Sequence, residues 1–411
     1  MAPHVPGRWN DVVRAAGLVA DDGAVRATVF AEMSALAART GAINLGQGFP
    51  DVDGPAHVAE AAVAAIRAGR NQYPPGPGVP ALRQAVAAHQ GRHYGLDVDP
   101  ETEVLVTVGA TEALAAAVLA LAGPGDEVVT LEPYYDSYAA VVAMAGATHV
   151  TVPLVRTDGA GYRLDAAAFR AAVGPRTRVV LLNTPHNPTG AVLDPAELEV
   201  VAAAAREHDV VVITDEVYEH LTYDDARHVP LATLPGMAER TLTVSSAGKT
   251  LSFTGWKVGW VTGPAALVDA VRAVKQYLTY VGSGPFQHAV ADALTDDDGR
   301  TGAWMADLVA SLERRRDLLC EGLVSAGFDV VVPQGTYFVV ADGRPLGFDD
   351  GAELCARLPE LAGVVGVPVS AFCRAGTPAA EEFRSAVRFT FVKQEDVLVE
   401  GVRRLGGMRP R

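Results

Sequence analysis

Residues 245–260 read SSAGKTLSFTGWKVGW. The run continues Thr241–Ser245 and leads into Val258–Thr262, and both flanking stretches are unbroken in Val, Leu, Thr and small residues. Neither alternates polar with apolar residues, so both read as strands buried on two faces. Between them, Ser246, Ala247 and Gly248 form a small-residue turn that carries a single lysine, Lys249, off the end of a strand. Two more junctions of the same kind lie upstream. Val210–Thr214 runs into TDEVYEH at 214–220, and Arg178–Leu182 runs into NTPHNPTG at 183–190, with the Ala-rich stretch Pro195–His208 between them predicting a helix.

Working outward, Val104–Val108, Glu127–Leu131 and Thr148–Pro153 add strands, while Thr111–Ala122 and Pro264–Tyr280 read as helices. Strands alternating with helices predict an α/β fold with a mainly parallel sheet covered on both faces. The distinctive loops Asn44–Asp51, Gly109–Thr111, Glu132–Tyr135, Asn183–Gly190, Asp215–Tyr218 and Ser245–Lys249 all follow predicted strands. Open α/β sheets bind ligands at the carboxyl ends of their strands, so a site is expected on that edge. After Arg300 the texture changes to one long charged helix, Trp304–Ala326, followed by short strands at Asp329–Val332, Thr336–Ala341 and Val387–Val392. This reads as a smaller α+β domain. The expected division is an N-terminal arm at 1–47 packed on the small domain, a large domain at 48–298 and a small domain at 299–411.

Of the 411 residues, 49% are hydrophobic and 20% charged, an ordinary soluble composition. The formal charge of −15 and the absence of a Lys/Arg block argue against a nucleic-acid partner. Cys320, Cys355 and Cys373 form no CxxC pair, so neither a metal site nor a disulfide framework is expected, and scattered thiols suit a reducing cytoplasm. The first 20 residues have no apolar core of signal-peptide type. The longest uncharged stretch, Ser137–Val155, is broken by Gly146 and by Thr148 and Thr151, so no membrane span is expected.

Taken together, NTPHNPTG, TDEVYEH and SSAGKTLSFTGWKVGW resemble the class I/II aminotransferases, whose fold-type-I architecture binds pyridoxal 5'-phosphate (PLP). The resemblance runs from INLGQGFPD at 43–51 to VRFTFVK at 387–393, nearly the whole chain. It implies that Lys249 is the Schiff-base lysine and the proton carrier of the reaction. Asp215 then holds the pyridine nitrogen protonated, although a lone aspartate after a strand also suits a helix N-cap. Asn187 and Tyr218 are implied to hydrogen-bond the phenolic oxygen of the cofactor. Asn187 alone would equally suit a turn before Pro188.

For the phosphate, the backbone of Gly109, Ala110 and Thr111 at a helix start, the Ser246 hydroxyl and the Lys257 ammonium fall at the family's positions. Many relatives carry arginine where Lys257 stands; lysine offers a point charge in place of a fork. In EPYYDSY, Tyr135 matches the aromatic that stacks on the PLP ring, with Tyr134 the neighbour it competes with. Arg388 matches the fork for the substrate α-carboxylate, and Gly46 offers close backbone approach to the same group; a buried salt bridge is the structural alternative for Arg388. Tyr73, in NQYPPGPG, resembles a tyrosine that reaches the phosphate of a neighbouring subunit, which implies a homodimer with shared active sites. A turn tyrosine is the alternative.

INLGQGFPD, SSAGKTLSFTGWKVGW and VRFTFVK look like the branch of kynurenine, glutamine and methionine aminotransferases. NQYPPGPG, ETEVLVTVGATEA, EPYYDSY, TDEVYEHL and KQYLTYVGSGPFQ resemble most closely the actinobacterial proteins called N-succinyldiaminopimelate aminotransferases. The resemblance therefore implies amino transfer between an L-amino acid, with glutamate as donor, and a 2-oxo acid or semialdehyde. A cysteine-conjugate β-lyase would use the same Lys249, Asp215 and Arg388. A non-catalytic PLP sensor would need a basic DNA-binding module that residues 1–40 are too short to hold.

Overall fold

The computed structural model describes residues 7–20, 23–157, 159 and 161–408. Eight strands form one sheet: Val104–Val108 (β1), Glu127–Glu132 (β2), Thr148–Thr157 (β3), Gly161–Leu164 (β4), Thr177–Asn183 (β5), Val211–Asp215 (β6), Thr241–Ser246 (β7) and Val258–Thr262 (β8). Their spatial order is β1-β8-β7-β6-β5-β2-β3-β4. The pairs from β7 through β3 are parallel; β8 is antiparallel to both of its neighbours, and the edge strand β4 is antiparallel to β3.

The unbroken apolar runs have a direct structural cause. On β5, Val179 and Leu181 face one core while Val180 and Leu182 face another; on β6, Ile213 and Val212 divide in the same way. Period-two side chains thus bury both faces, and the central positions of these strands are apolar. One face packs on Pro195–Glu207, through Leu198, Val201 and Ala202. The other packs on Gly109–Leu121, whose Ala113, Ala116 and Ala117 let the helix lie close to the sheet.

A second sheet orders Asp329–Val331 (β9), Phe338–Asp342 (β10), Val367–Pro368 (β11) and Ala386–Thr390 (β12) as β9-β10-β12-β11, all antiparallel. The register sets Val340 opposite Arg388, which places that arginine on a central strand. The long helix Arg300–Ser325 packs on Glu395–Leu405 and against β9.

Three expectations differ from what is observed. The strand β4 was not anticipated, because Gly161–Leu164 is only four residues long and sits on an edge with just alternate residues buried. The predicted helix Pro264–Tyr280 stops at Lys275, and a turn follows. The N-terminal segment does not lie as one arm on the second sheet: Trp9–Ala15 packs on Ser137–Ala145 beside the large sheet. Only the stretch from Val29 reaches the other side, where Ile43–Asn44 pairs with Val364–Val365.

Candidate active site

The carboxyl ends of β5, β6 and β7 open into a cavity of about 280 Å³ lined by Asn187, Asp215, Tyr218, Lys249, Lys257 and Arg388. Each arrives by a different piece of local geometry. Asn183 ends β5, and its side chain takes the Asn187 N–H at 2.8 Å while donating to the Asp215 carbonyl at 2.8 Å. One buried amide therefore fixes the loop that carries Asn187 against the strand that carries Asp215. Its position at the start of NTPHNPTG was the available signal for it.

Asp215 is buried and lines the cavity. Its carboxylate accepts from Tyr138 Oη at 2.7 Å and from the Val217 N–H at 3.4 Å, both neutral donors. Burial raises its pKa to about 6, against the pull of these two bonds and of Lys249. Tyr138 is the third tyrosine of EPYYDSY. One turn earlier, Tyr135 lines the cavity with its hydroxyl paired to Thr111. Tyr134 points elsewhere, edge-on to His149 in the core, so the structure brings Tyr135 to the site and Tyr134 away from it.

Lys249 sits in the short helix Ala247–Thr250 after β7, and its ammonium donates to Tyr337 Oη at 2.8 Å. Tyr337 Oη in turn donates to the Gly48 carbonyl at 2.7 Å, so its lone pair is free for the lysine. Tyr218 is buried with its ring edge-on to Tyr337 at 5.3 Å, and burial holds its hydroxyl well above its usual pKa. Sequence reasoning missed Tyr337 because it precedes β10 and no motif surrounds it.

The helix Gly109–Leu121 points its amino end at the cavity. Gly109 has φ +74°, and a Cβ there would lie 3.4 Å from Lys257 Nζ. A Cβ at Gly259 would lie 2.6 Å from the Gly109 carbonyl carbon and 2.8 Å from the Ala110 nitrogen. Glycine at both positions lets the lysine ammonium and the positive end of a helix dipole converge on one spot. Two like charges brought together this way form a cradle for an anion. Ser246, at the start of the lysine turn, lines the same end.

Arg388 is a buried cation on the cavity wall. Its guanidinium donates to Asn187 Oδ1 at 3.0 Å and to the Gly46 carbonyl at 2.9 Å, and its Nε is buried without a partner. It lies over the Phe338 ring at 4.0 Å and the Phe372 ring at 4.7 Å. Among the described residues it makes no ion pair, so the buried salt bridge considered from sequence is not what holds it. Burial lowers its pKa to about 10, which leaves it charged at neutral pH. Burying a charge costs several kcal/mol, more than neutral acceptors return, so the site has standing affinity for a carboxylate.

Tyr73 is not among the residues brought to this cavity: it is 81% exposed and packs edge-on to Tyr280 at 5.5 Å. Gly46 reaches the site through its carbonyl, and Gly48 and Gln47 line it.

A mixed, mainly parallel sheet with a lysine, an enclosed aspartate, an anion cradle and an unpaired arginine at its carboxyl edge defines a PLP-dependent transferase of fold type I. The chain belongs to the family described as Aminotransferase class I and II, which matches residues 40–405. It is 60% identical over 388 residues to the probable N-succinyldiaminopimelate aminotransferase of Mycobacterium tuberculosis, spanning 93% of this chain and 96% of that one. The solved structure of the N-succinyldiaminopimelate aminotransferase from that organism superposes with a TM-score of 0.88, covering 92% of this chain and 97% of that one, at 60% identity. The methionine aminotransferase of Escherichia coli is 39% identical over 378 residues, 92% of this chain and 95% of that one. This protein is accordingly a PLP-dependent aminotransferase. The residues present fit the cofactor: a carboxylate without a cation on it, a cradle that two glycines keep open and a lysine amine stand around one cavity.

Proposed function

We propose that the chain moves an amino group between N-succinyl-LL-2,6-diaminopimelate and 2-oxoglutarate, with glutamate as the donor in the biosynthetic direction. The observation that carries this reading is the 60% identity over 93% of the chain to the Mycobacterium tuberculosis relative, against 39% to the methionine enzyme. The same reading makes the protein a cytoplasmic homodimer with shared active sites. It divides the chain into a large domain at 48–298 and a small domain at 299–411, with the described part of the segment 1–47 packing on both. The exposed Tyr73, Tyr277 and Tyr280 offer the apolar surface such a dimer needs.

In this reading Lys249 would hold PLP covalently, and Gly109, Ala110, Thr111, Ser246 and Lys257 would hold its phosphate, with Tyr73 joining from the other subunit. When bound, the cofactor supplies an electron sink for the charge left at the substrate Cα. Asp215 would keep a proton on the ring nitrogen, and Tyr135 would lie against the ring. Asn187 has committed its oxygen to Arg388, so its amide N–H remains to donate to the phenolic oxygen beside the Tyr218 hydroxyl. Arg388, steadied by the Gly46 carbonyl that accepts one of its N–H groups, would take the α-carboxylate and orient the substrate Cα–H toward Lys249. The Lys249 amine, positioned through Tyr337, would carry that proton between the substrate Cα and the cofactor C4'.

The test is glutamate formation by the purified, PLP-loaded protein from 2-oxoglutarate and N-succinyl-LL-2,6-diaminopimelate, compared with methionine and kynurenine. The succinylated substrate should have the highest kcat/KM. Equal or better turnover of methionine or kynurenine would move the enzyme to that branch, and pyruvate plus ammonia from a cysteine conjugate would reveal β-lyase chemistry.

A further inference from the structure

Three histidines lie together outside the cavity and take no part in the chemistry above. His89 and His93 are four residues apart on the helix Pro80–Tyr94, so they share one face. His220 follows the strand β6 by five residues and faces them. His89 Nε2 and His220 Nε2 are 2.8 Å apart, and one ligand nitrogen from each of the three rings lies within 4.8 Å of the others. His89 is buried, His220 half-buried and His93 exposed, so the group opens to solvent on one side.

The cluster is not a completed hydrogen-bond network. The His89–His220 contact uses one nitrogen of each ring, and the buried His89 Nδ1 has no partner. Burial lowers the pKa of all three rings and so favours the neutral imidazole that a metal ion binds. Beside them, the buried Glu219 carboxylate accepts from Tyr94 Oη at 2.7 Å and from Ser245 Oγ, and its charge acts on all three rings. That carboxylate offsets added positive charge without occupying a coordination position.

We propose that His89, His93 and His220 form a divalent transition-metal site of the zinc class, with a fourth position open to water. Imidazole suits zinc, nickel and copper, and three protein ligands plus a solvent position is an established zinc arrangement. Two nitrogens on a tetrahedral zinc lie about 3.4 Å apart, so each ring needs to move by less than about 1 Å. The ion would tie the helix Pro80–Tyr94 to the turn that follows Asp215 and carries Tyr218. It would thus brace the cofactor pocket from behind without touching it.

The experiment titrates the tag-free, PLP-loaded protein with Co²⁺ and then with Zn²⁺. One Co²⁺ per chain should bind with the visible ligand-field bands of low-coordinate cobalt, and Zn²⁺ should abolish them and raise the thermal midpoint. His93→Ala, on an exposed helix position, should keep the cofactor absorbance but weaken Co²⁺ binding more than about 100-fold, beyond the loss expected from an outer contact. His93→Gln serves as a second variant with the ring nitrogen removed and the bulk kept. Metal bound equally well by both variants would mean chelation by the cofactor or the surface, and would overturn the site, as would no stoichiometric binding by the native chain.

Discussion

Arg388 Nη1 donates to Asn187 Oδ1 at 3.0 Å, joining the central strand of the small sheet to the loop after β5 of the large one. The bond spends the amide oxygen of Asn187 and leaves its N–H₂ group to face the cavity. It also means that one guanidinium, buried without a counter-ion among the described residues, sets the orientation of a second functional side chain.

Arg388→Lys should raise KM for every amino acid and 2-oxo acid, because an ammonium cannot form two parallel bonds to a carboxylate. Removing a hydrogen bond to a charged group costs roughly 1.5–3 kcal/mol, so kcat/KM should fall about ten- to more than hundredfold. Steady-state kinetics across a substrate panel checks this; a loss confined to one substrate would put Arg388 at the side-chain end.

Asp215→Asn should retain PLP but slow turnover severely, since an amide cannot keep the ring nitrogen protonated. The cofactor-free chain gives an independent readout. Burial raises the folded-state pKa of Asp215 to about 6. Between the ordinary carboxylate range and pH 6 the folded state therefore binds the extra proton, and stability falls as pH rises through that window. Denaturant melts of the apoprotein above pH 6 should show Asp215→Asn to be the more stable form. A wild-type-like pH profile in the variant would contradict the assignment.

Lys249→Ala should abolish transamination and the visible absorbance of covalently held cofactor; a borohydride-reducible lysine adduct in this variant would refute the assignment. Tyr337→Phe removes only the hydroxyl that the Lys249 ammonium reaches. Losing one such hydrogen bond should lower kcat/KM about two- to tenfold with the cofactor retained. Turnover equal to wild type would show that Tyr337 does not position the lysine.

Gly259→Ala should weaken PLP retention, because its Cβ would lie 2.6 Å from the Gly109 carbonyl carbon and must displace the anion cradle. The effect should appear as faster cofactor dissociation in dialysis, with KM for amino acids less affected. Unchanged dissociation would place the phosphate elsewhere.

For Tyr73, chains carrying Tyr73→Phe are mixed with chains carrying Lys249→Ala. If Tyr73 acts across a dimer interface, one site of each heterodimer combines an intact Lys249 with the partner's intact Tyr73 and should regain tight PLP retention. If it acts within its own chain, mixing restores nothing. Unaltered retention in the Tyr73→Phe homodimer would make it a turn residue only.

Much of the fold was readable because both-face burial leaves a plain mark: β1 and β8 begin and end where their apolar runs do. Lys249, Asp215 and Asn187 were readable for a related reason, since each follows a strand within a few residues and the backbone there determines where it points. β4 escaped because a short edge strand buries only alternate residues. The single N-terminal arm failed because nothing local distinguishes Trp9–Ala15 from Val29–Thr40 as packing partners. No motif surrounds Tyr337, and the three histidines meet only where the helix Pro80–Tyr94 packs on the turn after β6.

Sequence alone determines which chemical groups stand at the strand ends, because strand, turn and helix start are settled by neighbours a few residues apart. Only the tertiary structure decides that Arg388 is buried without a carboxylate, that Tyr135 and not Tyr134 faces the cavity, and that Tyr337 meets Lys249. Burial, charge compensation and hydrogen-bond pairing depend on every element packed around a group. For Arg388 and Asn187 those elements are 201 residues apart in the chain.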